Sequence, residues 1–154
     1  MRKRILAALC LGLALLCLAS CGGGQLRVEV WRRTADAEHA LSEGVIQPET
    51  RAVQLQAGSI NGAVSAFNAE PEDPDLSRAA PEGARIVGWQ LEDGQLRLEV
   101  TPEWAELEGF DRTLADSCAV LTFCALEGVE SVSVYCLGQR LTEPLDEGDI
   151  FLGE

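Results

Sequence analysis

The chain has 154 residues, one domain's worth, and sets 12 Lys+Arg against 25 Asp+Glu for a net charge of −13. Acid in this excess excludes a nucleic-acid partner and any attachment to anionic lipid through a basic surface. A single His, His39, and six Cys with no CxxC pair leave no material for His-based acid–base chemistry, a multi-His metal site or a zinc or thioredoxin-like site.

Arg2-Lys3-Arg4, the apolar run Ile5 to Ala19 and the small residues before Cys21 have the order of a signal peptide. The run is shorter than the roughly 20 apolar residues of a membrane span. Leu18-Ala19-Ser20-Cys21 resembles a bacterial lipobox, which implies cleavage after residue 20 and diacylglycerol on the Cys21 sulfur as the one covalent group, with no cofactor. Losing residues 1–20 removes three bases and no acid, so the mature charge is −16. Residues 21–25 form a tether through Gly22-Gly23-Gly24 that reaches at most about 18 Å, at roughly 3.3 to 3.6 Å per residue. The implied location is the extracytoplasmic face of the cell membrane, where two acyl chains give stable anchoring.

Leu26, Val28 and Val30 alternate with Arg27, Glu29 and Trp31, the period of a half-buried strand. A weaker alternation over Arg51 to Gln56 suggests a second strand. Ser59 is placed to cap a helix with Ile60, Ala63, Val64 and Phe67 on one face, ended by Pro71 and Pro74. Ile86 to Leu91, Asp93-Gly94, then Leu96, Leu98 and Val100 read as a β-hairpin, because Asp-Gly supplies the positive φ of a type I′ turn. Asp111 can cap a second helix running to about Glu127, with Leu114, Cys118, Leu121 and Ala125 on one stripe and Gly128 as its stop. Val132, Val134 and Cys136 make a last strand, and an acidic tail covers residues 142–154. This order predicts an α+β fold, a mixed sheet with two helices on one face, of the split βαβ kind.

Several of these segments carry a family resemblance. Ile46-Gln47-Pro48-Glu49-Thr50-Arg51, the helix leading to Pro71, Ala80-Pro81-Glu82-Gly83-Ala84-Arg85-Ile86 into the Asp93-Gly94 hairpin, Leu121-Thr122-Phe123 and Gly128-Val129-Glu130-Ser131-Val132 into Gly138 are similar to the GerMN domain of sporulation and spore germination proteins. The resemblance covers about residues 26–141. It implies an extracytoplasmic domain, often on lipoproteins, with a fold like the ring-building motifs of secretion systems and no known catalytic residues.

The other candidate chemistry has bland competitors. Cys118 and Cys124 lie about 9 Å apart along a helix at 1.5 Å per residue, too far to bridge. Either could meet Cys136 on the adjacent strand, with Cys118–Cys136 as the candidate bridge, since an exported location permits oxidation; buried free thiols are the commoner outcome. The acids from Glu70 to Asp75 lack an EF-hand loop and read as a solvated loop. Trp31, Trp89 and Trp104 can line a ligand groove or serve as packing. The reading favoured is a non-enzymatic, lipid-anchored interaction module related to sporulation or germination, its partners other extracytoplasmic or membrane proteins and its oligomers dependent on the membrane. The competing reading is a solute- or wall-fragment-binding lipoprotein, which needs a hollow of a few hundred Å³ walled by Trp89 or Trp104.

Overall fold

The computed structural model describes residues 24–35, 44–54 and 58–150. The signal segment, Cys21 and His39 lie outside the described residues. Strand β1 (Gln25–Thr34) pairs antiparallel with β2 (Ile46–Gln54) from Gln25 opposite Gln54 to Arg33 opposite Ile46. Alternation sends Val28, Val30 and Arg32 inward from β1. Strand β2 starts before the Arg51–Gln56 alternation because its inward positions include Glu49, a charged residue that hides the apolar period.

Helix α1 (Ser59–Asn68) begins at Ser59 itself. The residue ahead of it, Gly58, takes the cap position with φ 79°, and no side chain caps the helix, so the expected Ser59 cap is not made. Ile60, Ala63 and Phe67 are buried, as the helical period requires. Gly62 lets the helix approach β2 closely: a Cβ there would lie 2.7 Å from Val53 Cγ2.

The two-residue β3 (Leu76–Ser77) pairs with Arg33 and Thr34 at the end of β1. Where β3 stops, the Trp31 N–H donates instead to Thr122 Oγ1 at 2.9 Å, from a helix 91 residues downstream. This edge of β1 is thus taken up piecemeal, and the remaining strands form a sheet of their own. That sheet has the order β4-β5-β6-β7: β4 (Ile86–Glu92), β5 (Gln95–Val100), β6 (Ser131–Cys136) and β7 (Gln139–Arg140). Asp93 (φ 49°) and Gly94 (φ 79°) both take the left-handed backbone of the expected hairpin turn.

Strands β5 and β6 are parallel neighbours, so their βαβ unit is not divided by a third strand. The crossover between them holds α2 (Pro102–Ala105) and α3 (Gly109–Cys124). Helix α3 starts two residues before Asp111, with Glu108 as its cap. Asp111 sits in the first turn and pairs with Arg33 of β1 at 2.8 Å. The helix ends three residues short of Glu127, where Leu126 N–H bonds back to Phe123 C=O in a tighter turn. Helix α3 packs on β1 and β6 and α1 packs on β1, β2 and α3, which welds the two sheets around one core. The α+β class expected from the element order is the one observed, with its strands shared between a three-stranded and a four-stranded sheet.

Residues expected only as an acidic tail join this body. Leu145 exchanges backbone bonds of 2.8 and 2.9 Å with Val132, and Asp146 caps a short 3₁₀ turn at Glu147–Asp149.

Candidate interaction surface

Two polar constructions organise the surface, and alternation explains both. Arg32 continues the inward register of Val28 and Val30 and is fully buried. Its Nε donates to Glu49 Oε2 at 3.0 Å, and its two terminal nitrogens donate to the C=O groups of Ala66 and Phe67 at 2.8 and 2.9 Å. It thereby serves as the C-terminal cap of α1, where free carbonyls and the helix dipole favour a cation. Glu49 Oε1 accepts the N–H groups of Glu72 and Asp73, and Arg51 bonds to Glu49 at 3.3 Å and to the Glu70 C=O at 2.9 Å. Burial alone would raise the Glu49 pKa. The Glu72 N–H, the Arg32 guanidinium and the Asp73 N–H overcome it, and the carboxyl lies below its ordinary value.

The acid-rich loop is accounted for by the same network. Glu70 pairs with Arg78 at 2.8 Å and Glu72 with Arg51 at 3.2 Å, while Asp73 Oδ1 accepts the Asp75 N–H. Among the described residues, no three His, Cys, Asp or Glu side chains are grouped to hold a metal ion.

The second construction is the edge of the four-stranded sheet. Strand β4 has a strand neighbour on one side only. At Ile86 the other side is closed by a side chain: Asn68 Nδ2 donates to the Ile86 C=O at 2.7 Å, and its Oδ1 accepts the Ile86 N–H at 3.0 Å. Beyond Ile86 no such cover exists among the described residues. Trp89 and Leu91, opposite Leu98 and Leu96 of β5, are exposed by 39% and 37%, and Val87, in a bulge between Ile86 and Gly88, by 63%. The Trp89 indole is held in place by Nε1–H donation to Asn61 Oδ1 of α1 at 2.7 Å.

The three tryptophans do not meet. Trp31 packs half-buried on β1, Trp89 lies on the open edge, and Trp104 is fully buried in α2. The hollow beside Trp89, lined also by Arg97, Glu99, Tyr135 and Gly138, holds about 210 Å³. A larger one of about 440 Å³, between Arg33, Arg78 and Pro81, has no tryptophan in its wall.

Cys118, Cys124 and Cys136 are free, so the Cys118–Cys136 bridge is not formed. Cys118 lies on the buried stripe of α3 near Arg32 and Arg33 of β1, whereas Cys136 ends β6. Burial pushes the Cys118 thiol up to about 12, against the pull of Arg33 and Arg32. Cys124 is pushed up to about 11 by burial and by Asp146 and Glu147. Thiolate is the reactive form, so Cys118 should resist alkylation at neutral pH in the folded chain and Cys124 should react slowly. Peptide mapping after iodoacetamide treatment checks this; Cys118 labelled as fast as in urea would mean the helix opens locally.

Sequence reasoning overlooked Arg32, Glu49, Asn68 and Thr122. Only Arg32 left a signal, since it falls two residues after Val30 in the inward register.

The fold is similar to that of the tandem GerMN domains of the sporulation protein GerM from Bacillus subtilis, with a TM-score of 0.55 and 20% identity over 79% of this chain and 45% of that one. It is also similar to the first GerMN domain of GerM from the same organism, with a TM-score of 0.58 and 11% identity over 79% of this chain and 95% of that one. This chain therefore spans less than half of the tandem structure and matches nearly all of the single domain. Its fold is GerMN-like, as the resemblance of its motifs implies. No protein-family model and no curated protein matches the sequence.

Proposed function

We propose that the protein is a lipid-anchored, extracytoplasmic protein–protein interaction module, non-enzymatic, with a role related to sporulation or spore germination. The observation that carries this reading is the open edge of β4, where an unpaired backbone row lies beside the partly exposed Trp89 and Leu91. An edge of this kind adds a partner's strand through main-chain bonds and takes specificity from alternate side chains. The lipobox at Cys21 supports the anchoring, and the GerMN-like fold supports the link to sporulation. Among the described residues, no helix is long and apolar enough to cross a membrane. Solute binding is the weaker reading, since the Trp89 hollow, at about 210 Å³, is smaller than the roughly 300 to 1,000 Å³ of ordinary ligand pockets.

The test uses membranes of the producing bacterium. A photo-crosslinking side chain at Leu91 should capture a protein that the same group at Gln54, on the outer side of β2, does not. Cys21→Ser should release the chain from the membrane fraction and abolish palmitate labelling. Equal capture from both positions would overturn the docking edge, and unchanged labelling would overturn the anchor.

A further inference from the structure

We propose that the hollow between Arg33, Arg78 and Pro81 is a binding site for the C-terminal carboxylate of a peptide. It shares no residue with the β4 edge and does not depend on that contact.

The backbone period puts the first cation there. Alternation along β1 turns Arg32 inward to the end of α1, so Arg33 points to the opposite face. Strand β3 pairs with Arg33 and Thr34 and stops at Ser77, which leaves Arg78 as the next residue of the wall. Pro71, Leu76 and Pro81 add an apolar side, and the space holds about 440 Å³, inside the roughly 300 to 1,000 Å³ of ordinary ligand pockets.

Both arginines stand on partners that can leave. Arg33 Nη1 meets Asp111 at 2.8 Å, and Arg78 Nη1 meets Glu70 at 2.8 Å. The arginine side chains are only 13% and 23% exposed, whereas the acids are 48% and 72% exposed. Exposed ion pairs contribute little, so each acid can yield its arginine to another carboxylate. Arg33 also has an unmet donor: its Nε is buried without a hydrogen-bond partner, one of two such side-chain atoms among the described residues. A carboxylate arriving in place of Asp111 lets the guanidinium turn that N–H to an acceptor, in the two-pronged geometry that suits arginine and carboxylate.

A chain terminus fits better than an acidic side chain. It carries its charge and a side chain on the same carbon, which suits a hollow where cations lie beside Pro71, Leu76 and Pro81. Asp and Glu set the carboxylate beyond their methylenes and carry chain on both sides, so more of the ligand has to enter. The hollow beside Trp89 offers no equivalent, because its Arg97 already lies over the Tyr135 ring, 4.2 Å from the centroid. At long range the net charge of −13 repels any anion, so binding here has to come from the local groups.

The test is NMR on the full chain in mild detergent, with acetyl-alanyl-alanine as the probe and its C-terminal amide as the control. The free acid should shift the backbone resonances of residues 76–78 and the Nε–H resonances of Arg33 and Arg78 saturably, and the amide should not. Asp111→Asn and Glu70→Gln should each tighten binding several-fold, and Arg78→Gln should weaken it several-fold. Glu92→Gln, which removes an acid from the end of β4, should do neither. The tightening variants read the site even where an arginine variant fails to fold. No saturable shift, shifts as large with the amide, or equal binding of inorganic phosphate or of acetylglutamate α-amide overturns the site. Tightening by Glu92→Gln as great as by Asp111→Asn reduces the effect to net charge and overturns the exchange of acids. The L,L form of the probe stands for a protein tail and the D,D form for a wall peptide, and the tighter of the two names the source.

Discussion

Arg32→Ala should destabilise the folded chain by about 3 to 5 kcal/mol, read as a shift of the urea midpoint at unchanged slope. The change takes from Glu49 its fully buried cation, leaving Arg51 at 3.3 Å, and it removes the donor of the Phe67 C=O and one of the two donors of the Ala66 C=O, which keeps only the Ala69 N–H. The cost reflects unpaired groups rather than a large net attraction, because desolvating two charges offsets most of the gain from joining them. Arg32→Met combined with Glu49→Leu should therefore be milder than Arg32→Ala alone. A double variant worse than the single one would show that the pair itself stabilises the fold.

Acid should act through the same group. Glu49 is held below its ordinary carboxylate value, so the folded state favours its charged form. Its contribution is complete above the ordinary value of about 4.5 and is lost as pH falls through the lower folded value. Glu49→Gln should flatten the acid limb of the stability profile while lowering stability at pH 7. A profile as steep as that of the unsubstituted chain would place the acid sensitivity elsewhere.

Periodicity made some elements readable because their neighbours are apolar. Val28 and Val30 announce β1, and Asp93-Gly94 marks the hairpin whose arms bury Leu96, Leu98 and Val100. Strand β2 was half hidden, since Pro48 and Glu49 stand where an apolar residue would have continued the pattern. Glu49 is inward because Arg32 faces it from the neighbouring strand, and no local rule connects two residues 17 apart. The division into two sheets was equally silent in the sequence. It depends on Thr122 and Ser77 meeting different parts of β1, a matter of tertiary placement. The open edge strand β4 was legible as a hairpin arm, but its closure at Ile86 by Asn68 was not.

Just beyond β5, Pro102 opens a one-turn helix that buries the largest side chain of the core. Trp104 is fully buried, stacks on Phe67 with ring centres 6.1 Å apart, and donates its Nε1–H to Asp116 at 3.0 Å. Phe67 in turn meets Phe123 at 5.9 Å, so one aromatic cluster joins α1, α2 and α3. Trp104→Ala should cost about 3 to 5 kcal/mol, the range for emptying a buried aromatic site. Trp104→Phe should cost less, because the ring stack survives and Asp116 keeps Arg112 at 2.7 Å and Thr142 at 2.9 Å. The open edge of β4 lies outside this cluster. Below its lowered melting temperature, a folded Trp104→Ala chain should therefore still give the crosslink from position 91. A Trp104→Ala chain as stable as the unsubstituted one would mean that α2 is held by its backbone alone; loss of the position-91 crosslink in a folded Trp104→Ala chain would mean that the edge depends on the core beneath it.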